Sequence, residues 1–142
     1  MTKEYDIERT EQGLDIGEAS DHIAASVLLP ISDEVCRDFL TQCVESASSY
    51  WLSCDSVKRD GHNIIEVIGC SDAEDDETKW GDANLDTIRL GIQRILAPGA
   101  NVASNIKTEV LASLIDPGSS AWDDWTCDAC LQFGLLGELV YG

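Results

Sequence analysis

Basic residues are scarce in this chain. It holds 9 Lys and Arg against 27 Asp and Glu, giving a formal net charge of −18, and no basic residue follows Lys107. Each contact with a phosphate group needs a positive side chain, so this balance argues against direct binding to nucleic acid or to an anionic membrane surface. The charge is also far larger than solubility requires of a small domain. Because such self-repulsion destabilises a compact fold, we expect a basic partner to offset it.

Long apolar runs are also lacking. The longest lie near residues 24–31 and 135–141, and both are far shorter than the roughly 20 residues that a membrane-spanning helix needs. Residues 1–6 have neither the basic region nor the apolar stretch of a secretory signal. The sequence therefore predicts no membrane segment and a cytoplasmic protein.

Patterns of catalytic residues are missing as well. Histidine occurs only as His22 and His62, and the one conceivable pair of nucleophile and base is Cys54 with His62 across a hairpin. Neither glycine-rich phosphate-binding motif, G-x-G-x-x-G or G-x-x-x-x-G-K-[ST], occurs. The segment Glu77-Thr78-Lys79 matches the bare E-x-K of some nucleases but lacks their upstream acidic residue on a strand. We therefore predict a protein that is not an enzyme and needs no cofactor.

The six cysteines and the acidic segments offer no clear metal site. The length of the chain and the missing export signal favour reduced, mostly buried thiols over disulfides. The only C-x-x-C, from Cys127 to Cys130, lacks the second ligand pair of a structural zinc site. A calcium loop starting at Asp72 would need Gly at its sixth position and Glu at its twelfth, where Glu77 and Ala83 stand. We predict no metal, and a metal or thiol protein using Cys127 and Cys130 is an alternative hypothesis.

Hydrophobic content and length indicate one folded domain. Apolar residues make up 44% of the 142 residues, as in ordinary globular domains. Residues 1–22 are acidic with little apolar periodicity, and we interpret them as an acidic N-terminal arm preceding a single α+β domain at 23–142. Residues 23–29 are interpreted as a short strand or helical turn that ends at Pro30.

Four helices are predicted from apolar spacing and capping residues. The first follows Ser32 as N-cap, with Asp33 and Glu34 in the first turn, where the helix dipole favours acidic residues. Its apolar stripe consists of Val35, Cys36, Phe39, Leu40, Cys43, Val44 and Ala47. A second helix is predicted at about 83–96, a third after Asn101 as cap, and a fourth after Ser120, with Asp123 completing a capping box.

A β-hairpin is predicted between the first two helices. Residues 50–57 and 63–70 are rich in aromatic and β-branched residues and flank Asp60-Gly61, a strong hairpin signal. Residues 71–82 are interpreted as a polar, acidic loop. The predicted fold is α+β, with an antiparallel β-hairpin or small sheet packed against about four helices.

Acidic residues are densest between Glu66 and Asp86, where Lys79 is the single basic residue. Carboxylates fixed on folded elements can imitate the regular charges of a nucleic acid, which is how a DNA mimic occupies a basic protein groove. The candidate partner-binding residues are Asp72, Glu74, Asp75, Asp76, Glu77, Trp80, Asp82, Asp86, Asp123, Asp124 and Asp128. Trp80 is predicted to be an exposed anchor, whereas Trp125 is expected to pack in the core.

This distribution predicts a basic nucleic-acid-binding protein or complex of a host as the partner. One alternative explanation of the acidity is solubility or halophilic adaptation alone. Another is an interaction or assembly protein of a phage, in which the charge serves solubility and Trp and apolar side chains make the contacts. The sequence leaves open whether the chain forms a homodimer.

Two segments carry a resemblance to known proteins. At Ser49-Tyr50-Trp51 and from Cys127 to Gly142, ending Phe-Gly, a short spacer and Glu-Leu-Val-Tyr-Gly, the chain resembles small acidic proteins of phages and other mobile elements. The resemblance covers about a fifth of the chain and assigns no functional residue. By type, it is similar to anti-CRISPR and anti-restriction inhibitors, which implies expression in a bacterial cytosol.

Overall fold

The computed structural model describes residues 26–117 and 122–142, so the predicted acidic arm at 1–22 lies outside the described residues. The described chain is an α+β fold, as predicted, with helices packed on an antiparallel sheet. The helices are α1 (Asp33–Gln42), continued by a π-helical turn (Cys43–Ala47), α2 (Leu85–Ile95), α3 (Ser104–Ile115) and α4 (Asp124–Leu135). The strands are β1 (Leu52–Ser53), β2 (Ser56–Asp60), β3 (Asn63–Asp72) and β4 (Asp75–Asn84).

Helix α1 begins as its sequence predicts. The Ser32 side chain accepts a hydrogen bond from the Val35 amide at 3.2 Å, and the predicted apolar stripe faces inward. Before it, residues 26–31 belong to neither a helix nor a strand, and Val27 and Leu28 are exposed. The interpretation of this segment as a strand or helical turn is therefore wrong within the described residues.

The predicted N-cap residues of the last two helices, α3 and α4, are wrong. Helix α3 begins after Ala103, which makes no capping hydrogen bond with its side chain, and not after Asn101. Helix α4 is capped by Asp123, whose carboxylate accepts from the Thr126 amide at 3.1 Å, whereas Ser120 lies outside the described residues. An aspartate is as good a cap as serine and also complements the helix dipole, so Asp123 is sufficient.

Strand β3 is the centre of the sheet. It pairs with β1 and β2 along one edge and with β4 along the other, always antiparallel. The β2–β3 hairpin is confirmed, but its turn is Gly61-His62, because Asp60 already pairs with Asn63. Gly61 has a φ of +66°, which glycine adopts without strain.

The segment from Ser71 to Asp82 is a hairpin and not the predicted loop. Strand β3 continues to Asp72, and β4 starts at Asp75. β4 pairs only with β3 among the described strands, so its outer edge faces solvent, where charged side chains oppose unwanted strand pairing. These charged residues have weak strand propensity, so the sequence pattern did not reveal the strand.

One hydrophobic core joins the elements. Helix α1 packs on β3 and against α2 and α4, α2 packs along α4, and α3 packs on α4. The cysteines are free thiols; five of them are buried and Cys54 is half-buried, as predicted. No helix in the described residues has both the length and the apolar character needed to cross a membrane.

Candidate functional site

The β3–β4 hairpin carries most of the predicted carboxylates on a defined scaffold. At its tip, Asp72 accepts from the Glu74 amide at 2.8 Å, and Asp75 accepts from the Glu77 amide at 3.2 Å and from the Thr78 hydroxyl at 2.8 Å. Through these hydrogen bonds, the side chains of Asp72 and Asp75 stabilise the turn of the hairpin. We call residues 72–82 the acidic hairpin.

Three exposed carboxylates of the acidic hairpin are unpaired. Glu74, Asp76 and Glu77 are exposed and have no salt bridge or side-chain hydrogen bond to any described residue. Several carboxylates elsewhere have a basic neighbour. Salt bridges among the described residues include Lys58–Glu66, Arg59–Glu45, Arg89–Asp33 and Arg89–Asp86. The hairpin tip therefore concentrates negative charge that the described chain does not neutralise.

Asp82 and Asp86 contribute less free charge than the sequence suggested. Oδ1 of Asp82 accepts a hydrogen bond from the Gly69 amide at 2.9 Å, across the sheet. Asp86 lies in the first turn of α2 and pairs with Arg89 at 2.6 Å. Both remain exposed, and they extend the acidic edge from the hairpin towards α2.

Tyr141 ties the C-terminal segment to the hairpin. Its hydroxyl donates to Oδ2 of Asp72 at 2.6 Å. This bond, with that from the Glu74 amide, lowers the pKa of Asp72, and it raises the pKa of Tyr141 to about 12. The Tyr141 ring stacks on Trp51, with ring centres 5.1 Å apart, and meets Trp80 edge-on at 6.3 Å.

Asp128 was predicted to bind a partner, but it is a buried structural carboxylate. Its side chain is on the inner face of α4, and the residue is 2% exposed. It accepts four hydrogen bonds: from Ser48 Oγ at 2.6 Å, Tyr50 OH at 2.7 Å, Trp51 Nε1 at 2.8 Å and Gln132 Nε2 at 3.0 Å. Burial, followed by this hydrogen bond to Asp128, raises the pKa of Tyr50. Sequence spacing could not show this, because three of the donors lie about 80 residues away in the chain.

The predicted roles of two tryptophans are reversed. Trp80 is half-buried and packs against Trp51, with ring centres 5.5 Å apart. Trp125, expected in the core, is 60% exposed. Helix α4 is buried on all sides from Thr126 to Phe133, whereas Trp125 lies in its first turn, at the exposed end of the helix.

Asp123 and Asp124 lie at the start of α4, away from β4 in the chain. The side chain of Asp123 is the N-cap of the helix. Asp124 is exposed, and its two oxygens accept from Gln42 Nε2 at 2.8 Å and from Ser46 Oγ at 3.3 Å. The predicted site residues therefore fall into two groups, one on the acidic hairpin and one beside Trp125.

A small cleft adjoins Trp125. Its volume is about 180 Å³, and it is lined by Ala47, Tyr50, Asp124, Trp125 and Asp128. We call it the Trp125 cleft. On the other side of Trp125, a second hollow of about 230 Å³ is bounded by Ile106 and by the C-terminal residues from Leu139 to Gly142. Tyr50 and Val140 also reach the surface of this region, and neither is among the predicted site residues.

The C-terminal segment joins the two groups. Oε1 of Gln132 accepts from the Val140 amide at 2.8 Å and from the Tyr141 amide at 2.9 Å, which fixes the segment on α4. Val140 is 58% exposed and contributes both to the hollow beside Trp125 and to another beside Trp80. A continuous surface therefore runs from the acidic hairpin across Val140 to Trp125.

The thiols belong to no metal-binding group in the described residues. No group of three or more His, Cys, Asp or Glu side chains there could hold a metal ion. Burial raises the pKa of Cys36 and of Cys70 to about 11, and it also raises the pKa of Cys43 and of Cys130 well above the usual value. Such thiols remain protonated and unreactive at neutral pH.

No family model matches this sequence, and the comparisons with curated proteins and with solved structures found no match. Residues 49–51 and the C-terminal segment meet in the fold. Tyr50 bonds to Asp128, and Trp51 stacks on Tyr141.

Proposed function

We propose that this protein is a non-enzymatic inhibitor from a phage or mobile element, acting in the bacterial cytosol as an acidic DNA mimic. Its target is the basic nucleic-acid groove of a host defence complex of the CRISPR or restriction type. The observation that carries the proposal is the set of exposed, unneutralised carboxylates Glu74, Asp76 and Glu77 on the acidic hairpin.

The tip of the acidic hairpin suits charge mimicry because its carboxylates lie on adjacent residues. Adjacent Cα atoms along the chain are ~3.8 Å apart. Each strand of B-DNA carries one charge per ~3.4 Å of helix axis. Asp75, Asp76 and Glu77 are consecutive in the chain, at a bulge where the pairing with β3 is interrupted before Lys79, so carboxylates follow one another here about as densely as phosphates do in one DNA strand.

Rigidity supports the same function. The acidic hairpin is fixed by its ladder with β3, by the turn bonds of Asp72 and Asp75, and by Tyr141. A preordered charged surface loses less conformational entropy on binding than a flexible acidic tail does. The free carboxylates also steer a basic partner over long range, at a rate that falls with ionic strength.

A second candidate function is an interaction or assembly protein of a phage, whose charge serves solubility only. The observation that favours it is the exposed apolar surface of Trp125 and Val140, which are 60% and 58% exposed. Exposed Trp is enriched among binding hot spots. This function predicts binding that is insensitive to salt and to duplex DNA.

Capture from a bacterial host lysate tests the proposal. The tagged protein is expected to retain a nucleic-acid-binding complex, and excess duplex DNA is expected to displace it. Retention of a nucleic-acid-binding complex that DNA does not displace would favour the second candidate, and capture of no such complex would refute the mimic.

A matched pair of variants locates the effect. Replacing Glu74→Gln, Asp76→Asn and Glu77→Gln removes three charges from the acidic hairpin, and we expect it to abolish capture. The control Glu34→Gln, Asp60→Asn and Glu138→Gln removes three charges from other exposed positions and should keep capture. Equal loss in both would mean that net charge, and not the hairpin, binds the partner.

A further inference from the structure

We propose that the Trp125 cleft is an anchor pocket for a single arginine side chain of the basic partner. The inference rests on the proposed function in one respect, namely that the partner presents a basic surface. It adds the residue type that the partner inserts and the residues that receive it: Trp125, Asp124 and Tyr50.

The walls of the cleft fit a flat cation. Trp125 lines it and is 60% exposed, although large aromatic side chains normally bury their surface. Tyr50 also lines the cleft and is 49% exposed. Its hydroxyl donates a hydrogen bond to Asp128, which fixes the ring in place. Guanidinium groups stack on tryptophan through cation–π attraction and planar contact.

The charge in the cleft is negative and fixed. Asp124 is exposed. Its two carboxylate oxygens accept hydrogen bonds from Gln42 of α1 and from Ser46 of the π-helical turn, and these bonds fix their orientation. Beneath it, Asp128 has only neutral donors around its carboxylate and forms no salt bridge with a described residue. A cation in the cleft would therefore meet one accessible carboxylate and the field of a second, in surroundings partly shielded from water.

The size of the cleft selects a side chain over a small-molecule ligand. Its volume of about 180 Å³ lies below the ~300 Å³ at which pockets for drug-sized ligands begin. Arginine is favoured over lysine because its planar group can stack on Trp125 while donating hydrogen bonds to Asp124.

The position of the cleft suits the same partner. The surface continues from Trp125 over Val140 to Tyr141, whose hydroxyl bonds to Asp72 of the acidic hairpin. A basic groove that meets the hairpin can therefore reach the cleft with a neighbouring side chain. In such an interface, long-range charge sets the encounter, and a buried aromatic anchor sets the lifetime of the complex.

The test uses the whole protein and a defined probe. The acetylated and amidated tripeptide Gly-Arg-Gly is titrated into ¹⁵N-labelled protein, and the Trp indole N–H resonances are followed by NMR. The Trp125 resonance is assigned by its loss in Trp125→Phe. We expect it to shift in a saturable manner, whereas Gly-citrulline-Gly, which lacks the charge, leaves it unchanged.

Variants place the binding in the cleft. Asp124→Asn keeps the oxygen that accepts from Gln42 but removes the charge, and we expect it to weaken peptide binding about tenfold, as the loss of a charge-assisted bond does. The control Ile115→Ala trims a comparably exposed side chain on α3 and should bind as the unmodified protein does. The hairpin triple variant Glu74→Gln, Asp76→Asn and Glu77→Gln should also keep the Trp125 shift.

Equal shifts with the citrulline peptide, or no shift of Trp125 at all, would overturn the anchor pocket while leaving the DNA-mimic function standing. A persistent, arginine-specific shift together with capture that DNA does not displace would contradict the mimic and keep the pocket. Tighter binding of Gly-Lys-Gly than of Gly-Arg-Gly would overturn the assignment to arginine.

Discussion

The indole Nε1 of Trp51 donates a 2.8 Å hydrogen bond to Oδ1 of Asp128, so the largest buried side chain among the described residues is held by a buried carboxylate. Ser48, Tyr50 and Gln132 complete the set of donors. This network links the end of the π-helical turn to α4 and supports the floor of the Trp125 cleft. The contribution of this network to the free energy of unfolding can be measured.

Asp128→Ala should destabilise the fold strongly. The substitution leaves the buried donors of Ser48 and Trp51 without an acceptor, whereas Gln132 keeps the Tyr141 carbonyl oxygen as one. Each unsatisfied group costs about 1–3 kcal/mol. We expect a loss of about 3 kcal/mol in the free energy of unfolding, measured by urea denaturation. The control Asp60→Asn changes an exposed strand carboxylate and should alter it by less than about 0.5 kcal/mol. A small effect at Asp128 would contradict the structural role of the network.

Two glycines set the close crossing of α2 and α4. A Cβ at Gly91 would collide with the Cys130 carbonyl oxygen, and one at Gly134 with the Thr87 carbonyl oxygen. Backbone atoms cannot move aside as flexible side chains do. Each Gly→Ala change should therefore cost about 2 kcal/mol of stability in spite of the ~1 kcal/mol gained from helix propensity.

The control for these glycines is Gln93→Ala, on the exposed side of α2. It tests helix propensity without a collision and should leave the thermal midpoint unchanged or slightly raised. If Gly91→Ala or Gly134→Ala raised the midpoint as well, the packing of the two helices would be looser than the structure has it.

The bond between Tyr141 and Asp72 should make stability depend on pH at both extremes. The pKa of Asp72 is lowered in the fold, first by the Tyr141 hydroxyl. Its stabilising effect is therefore present above the normal aspartate pKa and is lost as the pH falls through the lowered value. The pKa of Tyr141 is raised to about 12, so its contribution is complete below the normal tyrosine pKa of ~10 and is lost as the pH rises through the folded value.

Tyr141→Phe isolates this bond. The variant keeps the ring that stacks on Trp51 but removes the hydroxyl. We expect it to be less stable than the unmodified protein at pH 7 in urea denaturation, and the difference should shrink at pH 2. A difference of the same size at both pH values would show that the hydroxyl acts independently of the charge on Asp72.

Thiol reactivity should identify one accessible cysteine. Cys54 is half-buried, and its burial, with the neighbouring Asp55, raises its pKa, whereas the other five thiols are buried. In native protein at pH 8, we expect an aromatic disulfide reagent to label Cys54 slowly and the others only after unfolding. Cys54→Ser should show no labelling before denaturation, and rapid labelling of Cys127 or Cys130 would indicate that α4 opens.

Much of the fold could be predicted from local sequence. The Ser32 cap and the stripe of α1 depend on neighbouring residues, and so does the Gly61 turn. Strand β4 could not be predicted in this way. Its charged residues form a strand only because one edge pairs with β3 and the other edge is exposed to solvent. The local pattern therefore gave a loop where tertiary pairing forms a strand.

The residue types of the candidate site were predicted better than their positions in the fold. Glu74, Asp76 and Glu77 are exposed, as a charged segment suggests. Asp128 and Trp125 were assigned to the wrong environments. The burial of Asp128 depends on donors about 80 residues away, and the exposure of Trp125 depends on how the other elements cover α4 beyond its first turn. Both depend on contacts distant in sequence, which residue type and spacing do not encode.

The salt dependence of binding tests the central claim most directly. The affinity of the purified protein for its captured partner is measured by calorimetry from 50 to 500 mM salt, beside the triple variant Glu74→Gln, Asp76→Asn and Glu77→Gln. The account predicts that the affinity of the unmodified protein falls at least about tenfold over this range and that the variant binds weakly with little salt dependence. Binding by the variant that equals the unmodified protein at every salt concentration would contradict it.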